Sequence, residues 1–318
     1  MHKVSHSNDT FVTTFDNLLL TLMQFGKVEH PELVDFTLPA DHKETKRVLT
    51  EQKDDTLSIF VGCAKWNKQD LKGFYPRGTK DELEYYSQQF NSIELNATFY
   101  RIFPDDQFKK WYDKTPSGFK FFPKLVQNIS HLKRLNDDVQ PYVDQYLTNV
   151  IHLKEKLGTI FLQLHGNFGP KYMDRVVAFI EKWPKDIRLA IEFRHTDWFN
   201  DENVANELYT LLEENNIANI ITDTAGRRDL LHMRLTNAEA FVRYVGANHD
   251  TDYNRLDEWV QRLCTWKNNG INHIHFFVHQ NIEKESPLLS SYFIQNLNEK
   301  LGTDLVIPNH TTDDLKLF

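Results

Sequence analysis

Carboxylates, guanidinium groups, lysines and histidines recur on one face of several apolar runs in this 318-residue sequence. The run 188–194 reads Arg-Leu-Ala-Ile-Glu-Phe-Arg. As a strand it points Leu189 and Ile191 one way and Glu192 and Arg194 the other, because successive side chains alternate. Buried charges are costly unless paired, so two of them in an apolar strand point to a polar cavity, the alternative being an edge strand with one wet face. The same parity holds elsewhere. Glu94 and Asn96 oppose Ile93 and Leu95, with Thr98 continuing their face. Lys120 and Lys124 share a face with Phe122, and Gln163 and His165 oppose Leu162 and Leu164. Asp223 ends a sixth run, Arg243 opposes Val242 and Tyr244, and His273, His275 and His279 align. His195 falls on the opposite face or in the loop that follows.

These residue types suit acid/base chemistry. Glu192 and Glu94, with Asp223, are the candidate catalytic carboxylates: two of them can act as base and acid if burial raises one pKa and a cation lowers the other. Arg194, Arg243, Lys120 and Lys124 would hold a phosphate or carboxylate group. Trp66, Tyr100 and Trp198 offer flat faces to a sugar or base, whereas Tyr75 and Phe99 read as loop packing. Taken singly, Asn96, Gln163 or His273 could equally belong to a satisfied interior network. A metal-assisted phosphoesterase is a second version, drawing on Glu94, Glu192, Asp223, His165, His275 and His279. A divalent ion is therefore a candidate cofactor, but no HExxH-like spacing occurs and no residue is assigned as a metal ligand. His275 and His279, four apart on a strand, have Cα atoms roughly 13 Å apart. A lysine Schiff base on Lys124 or Lys120 is a third chemistry. A non-catalytic protein that binds a small anion would use the same pocket.

Eight apolar or β-branched runs must position these groups: 58–62, 92–99, 120–126, 160–165, 188–194, 218–223, 240–245 and 273–279. Helix-period stretches at 81–90, 105–113, 141–157, 171–183, 201–215, 254–269 and 287–301 fall between or after them. Pro141, Gly158, Asp201 and Gly270 supply start and stop signals. Strand–helix units in this number match a single (β/α)8 TIM-type barrel over 56–308, whose polar interior parity would open at the carboxyl-terminal mouth. A doubly wound sheet is the runner-up, but no G-x-G-x-x-G or P-loop follows a strand. Residues 1–55 read as an extension whose first residues are expected to be mobile, with Phe25, Leu33, Val34, Phe36 and Leu38 available to pack on the barrel. Residues 309–318 read as a polar tail.

Composition narrows the function classes. At 40% hydrophobic and 13% aromatic the chain can bury a large core. A net charge of -8 and a pI near 6.0 argue against extended nucleic acid or an anionic membrane as partner, leaving a small and anionic molecule. Cys63 and Cys264 match no metal or CxxC spacing, which favours a reducing compartment. No apolar run approaches the roughly 20 residues that span a bilayer. The run Leu18 to Met23 is too short for a signal-peptide core, so a soluble cytoplasmic protein is expected.

Over about 58–301 the motifs together resemble a known family, domain of unknown function 72, also called YecE-like. The likeness rests on Gly62 with Trp66, Gly73-Phe-Tyr-Pro76, Ile93-Glu-Leu-Asn96 with Thr98-Phe-Tyr100, and Trp111 before Thr115-Pro116. It continues through 119–124, His131, Phe161-Leu-Gln163, Glu192-Phe-Arg-His195 with Trp198, Asp223, Tyr253 and Trp259. The resemblance implies a TIM-type barrel and leaves the activity unassigned. It adds His131 to the candidate binding residues. Departures from the family pattern occur at Gly62-Cys-Ala-Lys-Trp66, at His165-Gly166 and at Val278-His279-Gln280-Asn281. They place His165, His279 and Asn281 near the expected mouth. The expected function is an enzyme, hydrolytic in type, acting on a small anionic, phosphorylated or sugar-like substrate.

Overall fold

The computed structural model describes residues 26–52 and 56–309. Among them nine strands pair, always in parallel: β1 (Ser58–Cys63), β2 (Ser92–Leu95), β3 (Lys120–Pro123), β4 (Ile160–Gln163), β5 (Leu189–Glu192), β6 (Ala218–Asn219), β7 (Ile221–Thr224), β8 (Glu239–Gly246) and β9 (His273–Gln280). All eight expected runs are present, the sixth split at Ile220 into β6 and β7. Helices alternate with them, including Glu82–Gln89, Asp105–Asp113, Gln140–Val150, Met173–Lys182, Glu202–Glu214, Thr251–Asn269 and Ser286–Leu301. Local chemistry starts and stops these helices as their sequences suggest. The Asp201 carboxylate accepts the Asn203 and Val204 amides, and Gly270 ends its helix in the left-handed conformation at φ 107°. The second run ends early, because Asn96 turns helical and leads into Ala97–Tyr100. Thr98 therefore leaves the Glu94 face; its hydroxyl serves the Leu95 and Lys124 carbonyls, each at 2.8 Å.

A closed ladder was expected, but the strands form three separate sheets in the orders β1-β9-β8-β7, β2-β3 and β4-β5-β6. Side chains bridge the gap between β1 and β2. The Asn91 amide accepts from Val61 N (2.9 Å) and donates to Ile59 O (2.8 Å), while the Tyr86 hydroxyl accepts from Cys63 N (2.8 Å) and donates to Ser92 O (3.0 Å). Here the backbones approach so closely that a Cβ at Gly62 would stand 2.2 Å from Ser92 O. Between β3 and β4 only the isolated bridges Phe121–Leu157 and Lys124–Phe161 are made.

One parity of the strands packs against the helices in the large core that includes Trp198, Trp259 and Trp266. The other forms a second apolar cluster of Phe122, Phe161, Ala190, Ala218, Ile220, Phe241 and Phe277, with Phe60 against it. Its rings meet at 5.0 Å (Phe122–Phe277), 5.2 Å (Phe241–Phe277) and 5.4 Å (Phe161–Phe241). Each buried Phe contributes about 1.5–3 kcal/mol. This aromatic layer is a floor. On its amino-terminal side lie Glu239 and His275, 3.1 Å apart, and on its carboxyl-terminal side lie the polar groups described next.

The segment before β1 packs on the same body. Phe36 and Leu38 are buried, Val34 is half-buried, Leu33 is 80% exposed, and Phe25 lies outside the described residues. Leu38 N donates to Glu258 (2.8 Å), Arg228 donates to Phe36 O (2.9 Å), and the Arg255 guanidinium stands 4.3 Å over the Phe36 ring.

Candidate functional site

Glu94 on β2, Gln163 on β4, Glu192 on β5 and Arg243 on β8 reach the carboxyl-terminal side of the aromatic floor. Lys124 and Arg194 stand just beyond β3 and β5. Their short strands carry apolar residues on the opposite parity, so burying that face against the helices turns these polar side chains inward. Arg243 joins the two carboxylates. Its Nε and Nη2 donate to Glu94 at 2.9 and 2.8 Å, and its Nη1 donates to Glu192 at 2.6 Å. Glu94 also accepts from Asn96 Nδ2 (2.7 Å) and from His279 Nε2 (3.1 Å). Glu192 also accepts from Gln163 Nε2 (2.9 Å) and Arg194 Nε (2.5 Å), and Gln163 Oε1 in turn accepts from Lys124 Nζ (2.8 Å). The Lys124 ammonium stands 4.3 Å over the Phe99 ring and 5.9 Å from that of Phe161.

Burial opposes ionisation of Glu94, but Arg243 and then His279 outweigh it and hold the carboxyl well below its ordinary value of 4.5. Glu192 is likewise penalised by burial, and Arg194 and Arg243 more than offset that penalty, so it too is lowered. The expected division of these carboxylates into acid and base is therefore not realised: both face the same guanidinium, and both are ionised at neutral pH. Burial, reinforced by Arg243, instead pulls the Lys124 amine down from 10.5 to about 7 against the opposing pull of Glu192 and Glu94. Burial and the nearby Lys124 also lower His131, to about 4.

Above this layer opens a cavity of about 420 Å3 lined by Ala64, Lys65, Asn96, Phe99, Tyr100, Lys124, Gln127, His131, Gln163, Arg243, His279 and Glu283. His165 stands beside it with its ring 5.3 Å from that of His131, and Tyr100 is 71% exposed at the rim. Lys65, Gln127, Glu283 and Phe99 were missed by sequence reasoning as site residues. Phe99 was read as packing, and Lys65 sits in the departing motif Gly62-Cys-Ala-Lys-Trp66.

Other expected site residues lie elsewhere. Asp223 pairs in register with Tyr244, whereas Thr222 pairs with the inward Arg243, so Asp223 faces the helices. There it is buried between Arg228, Arg255 Nη2 (2.9 Å) and Trp259 Nε1 (2.7 Å). Lys120 begins β3, at the far end of the strand from Lys124, and donates to Glu155 O. Trp66 packs edge-on against Trp111 at 5.7 Å, and its carbonyl accepts from Tyr75. Trp198 is fully buried, its indole donating to Phe168 O at 2.6 Å. Asn281 donates to Gly26 O at 2.8 Å, tying down the amino-terminal segment. His195 is a loop residue whose Nδ1 accepts from Asp197 N at 3.2 Å.

The six-residue metal set is not assembled, since Asp223 points outward and His275 lies beneath the aromatic floor with Glu239. Among the described residues no group of three or more His, Cys, Asp or Glu side chains is placed to hold a metal ion. Among the same residues no helix is long and apolar enough to cross a membrane.

The chain is 25% identical over 274 residues to UPF0759 protein YecE of Escherichia coli K12, covering 79% of this chain and 96% of that one. It is 32% identical over 154 residues to UPF0759 protein YunF of Bacillus subtilis 168, covering 45% and 52%. Among solved structures, a DUF72 family protein of Enterococcus faecalis V583 superposes with a TM-score of 0.62 at 16% identity, covering 79% of this chain and 100% of that one. One of Thermotoga maritima MSB8 gives 0.59 at 22%, covering 77% and 99%. These two structures share the fold. The model of the family described as "Protein of unknown function DUF72" matches residues 60–312, and the chain belongs to that family.

Proposed function

We propose that the cavity is the active site of an enzyme acting on a small anionic molecule, with Lys124 as the group that takes up and releases a proton. Glu94, Arg243 and Glu192 are a fixed ionised frame in this reading. The observation that carries it is a lysine buried to 7% exposure that nonetheless lines the cavity, its charge made costly by burial and by Arg243. An amine near 7 can serve as base or acid at physiological pH, whereas the locked carboxylates supply neither role. Hydrolysis of a phosphorylated or sugar-like substrate, with Lys124 protonated in the complex and donating its proton to the leaving oxygen, is the reaction type carried forward. The three sheets are read as the wall of one TIM-type barrel, supported by the Asn91 and Tyr86 bridges and by the aromatic cluster drawn from β1, β3, β4, β5, β6, β8 and β9. That reading puts the cavity at the carboxyl-terminal mouth, where enzymes of this fold do their chemistry.

An entering anion favours protonated Lys124, so binding takes up a proton once the free amine has begun to lose one. Affinity for inorganic phosphate or a sugar phosphate should therefore fall as pH rises through about 7, and Lys124→Met should weaken binding and flatten that dependence. Calorimetry in buffers of different ionisation enthalpy measures both quantities. The reading fails if phosphate and sugar phosphates bind with no proton uptake, or bind Lys124→Met as they bind the native chain. Binding with no product from any ligand found in a metabolite screen would reduce the site to a binding pocket.

A further inference from the structure

We propose that Lys124 captures a small carbonyl compound carrying a carboxylate or phosphate group, forming an iminium adduct in the cavity above the aromatic floor. The proposal rests on the reading of Lys124 as the proton-transferring amine and names a substrate class for it. Attack on a carbonyl needs a free amine, and Lys124 is the lysine of this cavity that is buried and flanked by Arg243 and Arg194. Glu94, Glu192, Arg194, Arg243 and His131 share its field, from β2, β5 and β8 and from the turns after β3 and β5. Burial and Arg243 favour its uncharged form, against the two carboxylates. Its position is set from below: Gln163 donates to Glu192 and so presents Oε1, not its amide nitrogen, to Lys124.

The product is also accommodated. An iminium carries a positive charge, and the Phe99 face 4.3 Å from Nζ stabilises a cation there. Around that charge, Glu94 and Glu192 are already balanced by Arg243 and Arg194, and the lining Glu283 faces His279 at 4.0 Å, so the substrate's own anionic group supplies the counter-charge. That requirement selects an oxo acid or a phosphorylated aldehyde or ketone over a neutral carbonyl. In the addition step the nitrogen lone pair forms the C–N bond as the carbonyl π electrons move to oxygen, and a proton passes from nitrogen to that oxygen. The hydroxyl then takes a second proton and leaves as water while the nitrogen lone pair closes the C=N bond. No oxidant or reductant is consumed. The second proton comes from solvent, to which the cavity opens beside the exposed Tyr100 at its rim.

The test treats the full chain with pyruvate, glyceraldehyde 3-phosphate or acetone in the presence of sodium cyanoborohydride and maps the adducts by peptide mass. Lys124 should gain the mass of at least one anionic probe less one oxygen atom, well ahead of surface lysines. Acetone should label it poorly, and Lys124→Arg should lose the adduct. Pyruvate and glyceraldehyde 3-phosphate distinguish the carboxylate from the phosphate source. Equal labelling by acetone overturns the anionic class. In parallel, acetic anhydride near neutral pH reports the free amine. If it acylates Lys124 preferentially while neither anionic probe adds, carbonyl capture is wrong and the proton-transfer reading survives. If Lys124 is acylated no faster than surface lysines and no probe adds, both are wrong.

Discussion

Replacing Arg243 with Met should leave Glu94 as a buried, uncompensated carboxylate. Arg243 makes three charge-assisted hydrogen bonds, two to Glu94 and one to Glu192. Each such bond is worth about 1.5–3 kcal/mol, which sets the ceiling. Glu192 keeps Arg194 and Gln163, so its loss is partial; Glu94 keeps only Asn96 and His279 in a site with 0% exposure. The expected cost at neutral pH is therefore that of one orphaned buried charge, about 3–5 kcal/mol. The pH dependence should change sign. In the native chain Glu94 is held below 4.5, so its contribution is present above 4.5 and is lost as pH falls through the folded value. In Arg243→Met the remaining His279 and Asn96 no longer outweigh burial, the folded value rises above 4.5, and the destabilisation relaxes as pH falls toward 4.5. Urea unfolding at several pH values, native against variant, measures this difference. Arg243→Met/Glu94→Gln should recover much of the loss, because a neutral amide replaces the orphaned charge. A cost below about 1 kcal/mol at neutral pH, or no recovery in the double variant, would refute the argument, since an exposed pair behaves that way.

With Lys124 lowered to about 7, the unfolded chain binds more protons than the folded one between about 7 and 10.5, so this group makes stability rise with pH across that window. Lys124→Met should be more stable than the native chain below pH 7, and denaturant titrations should show the gap narrowing toward 10.5. Asp223→Asn should cost about 3–5 kcal/mol by leaving Arg228 and Arg255 short of their carboxylate, while acylation of Lys124 by acetic anhydride stays at its native rate. A large change in that rate would tie Asp223 to the cavity. Asn91→Ala removes the partners of Val61 N and Ile59 O and should cost about 1–3 kcal/mol for each group left unsatisfied. Hydrogen exchange at the Val61 amide should accelerate; unchanged protection would show that the seam closes without Asn91.

Period-two alternation was enough to read which residues share a face within one strand. It put Glu94 with Asn96, Gln163 opposite Leu162, Glu192 with Arg194, and Arg243 opposite Val242, because burial of the apolar parity against helices leaves no choice for the other. Alternation alone does not say which parity turns inward where polar residues occupy both, and that is how Asp223 was misplaced. Ala218, Ile220 and Thr222 hold the inward face, so the next residue points to the helices. Nor does it say which end of a strand a residue occupies: Lys120 and Lys124 share a parity, but only Lys124 reaches the cavity. Trp66 and Trp198 were near the right segments, but loop packing covered their faces. Charge state was decided by tertiary structure alone. Arg243 lies 149 residues from Glu94 and 51 from Glu192 in the chain, and bringing it between them turned two candidate acid/base groups into a fixed ion cluster. The same packing lowered Lys124, since desolvation and the field of a distant guanidinium depend on distances that no local pattern encodes.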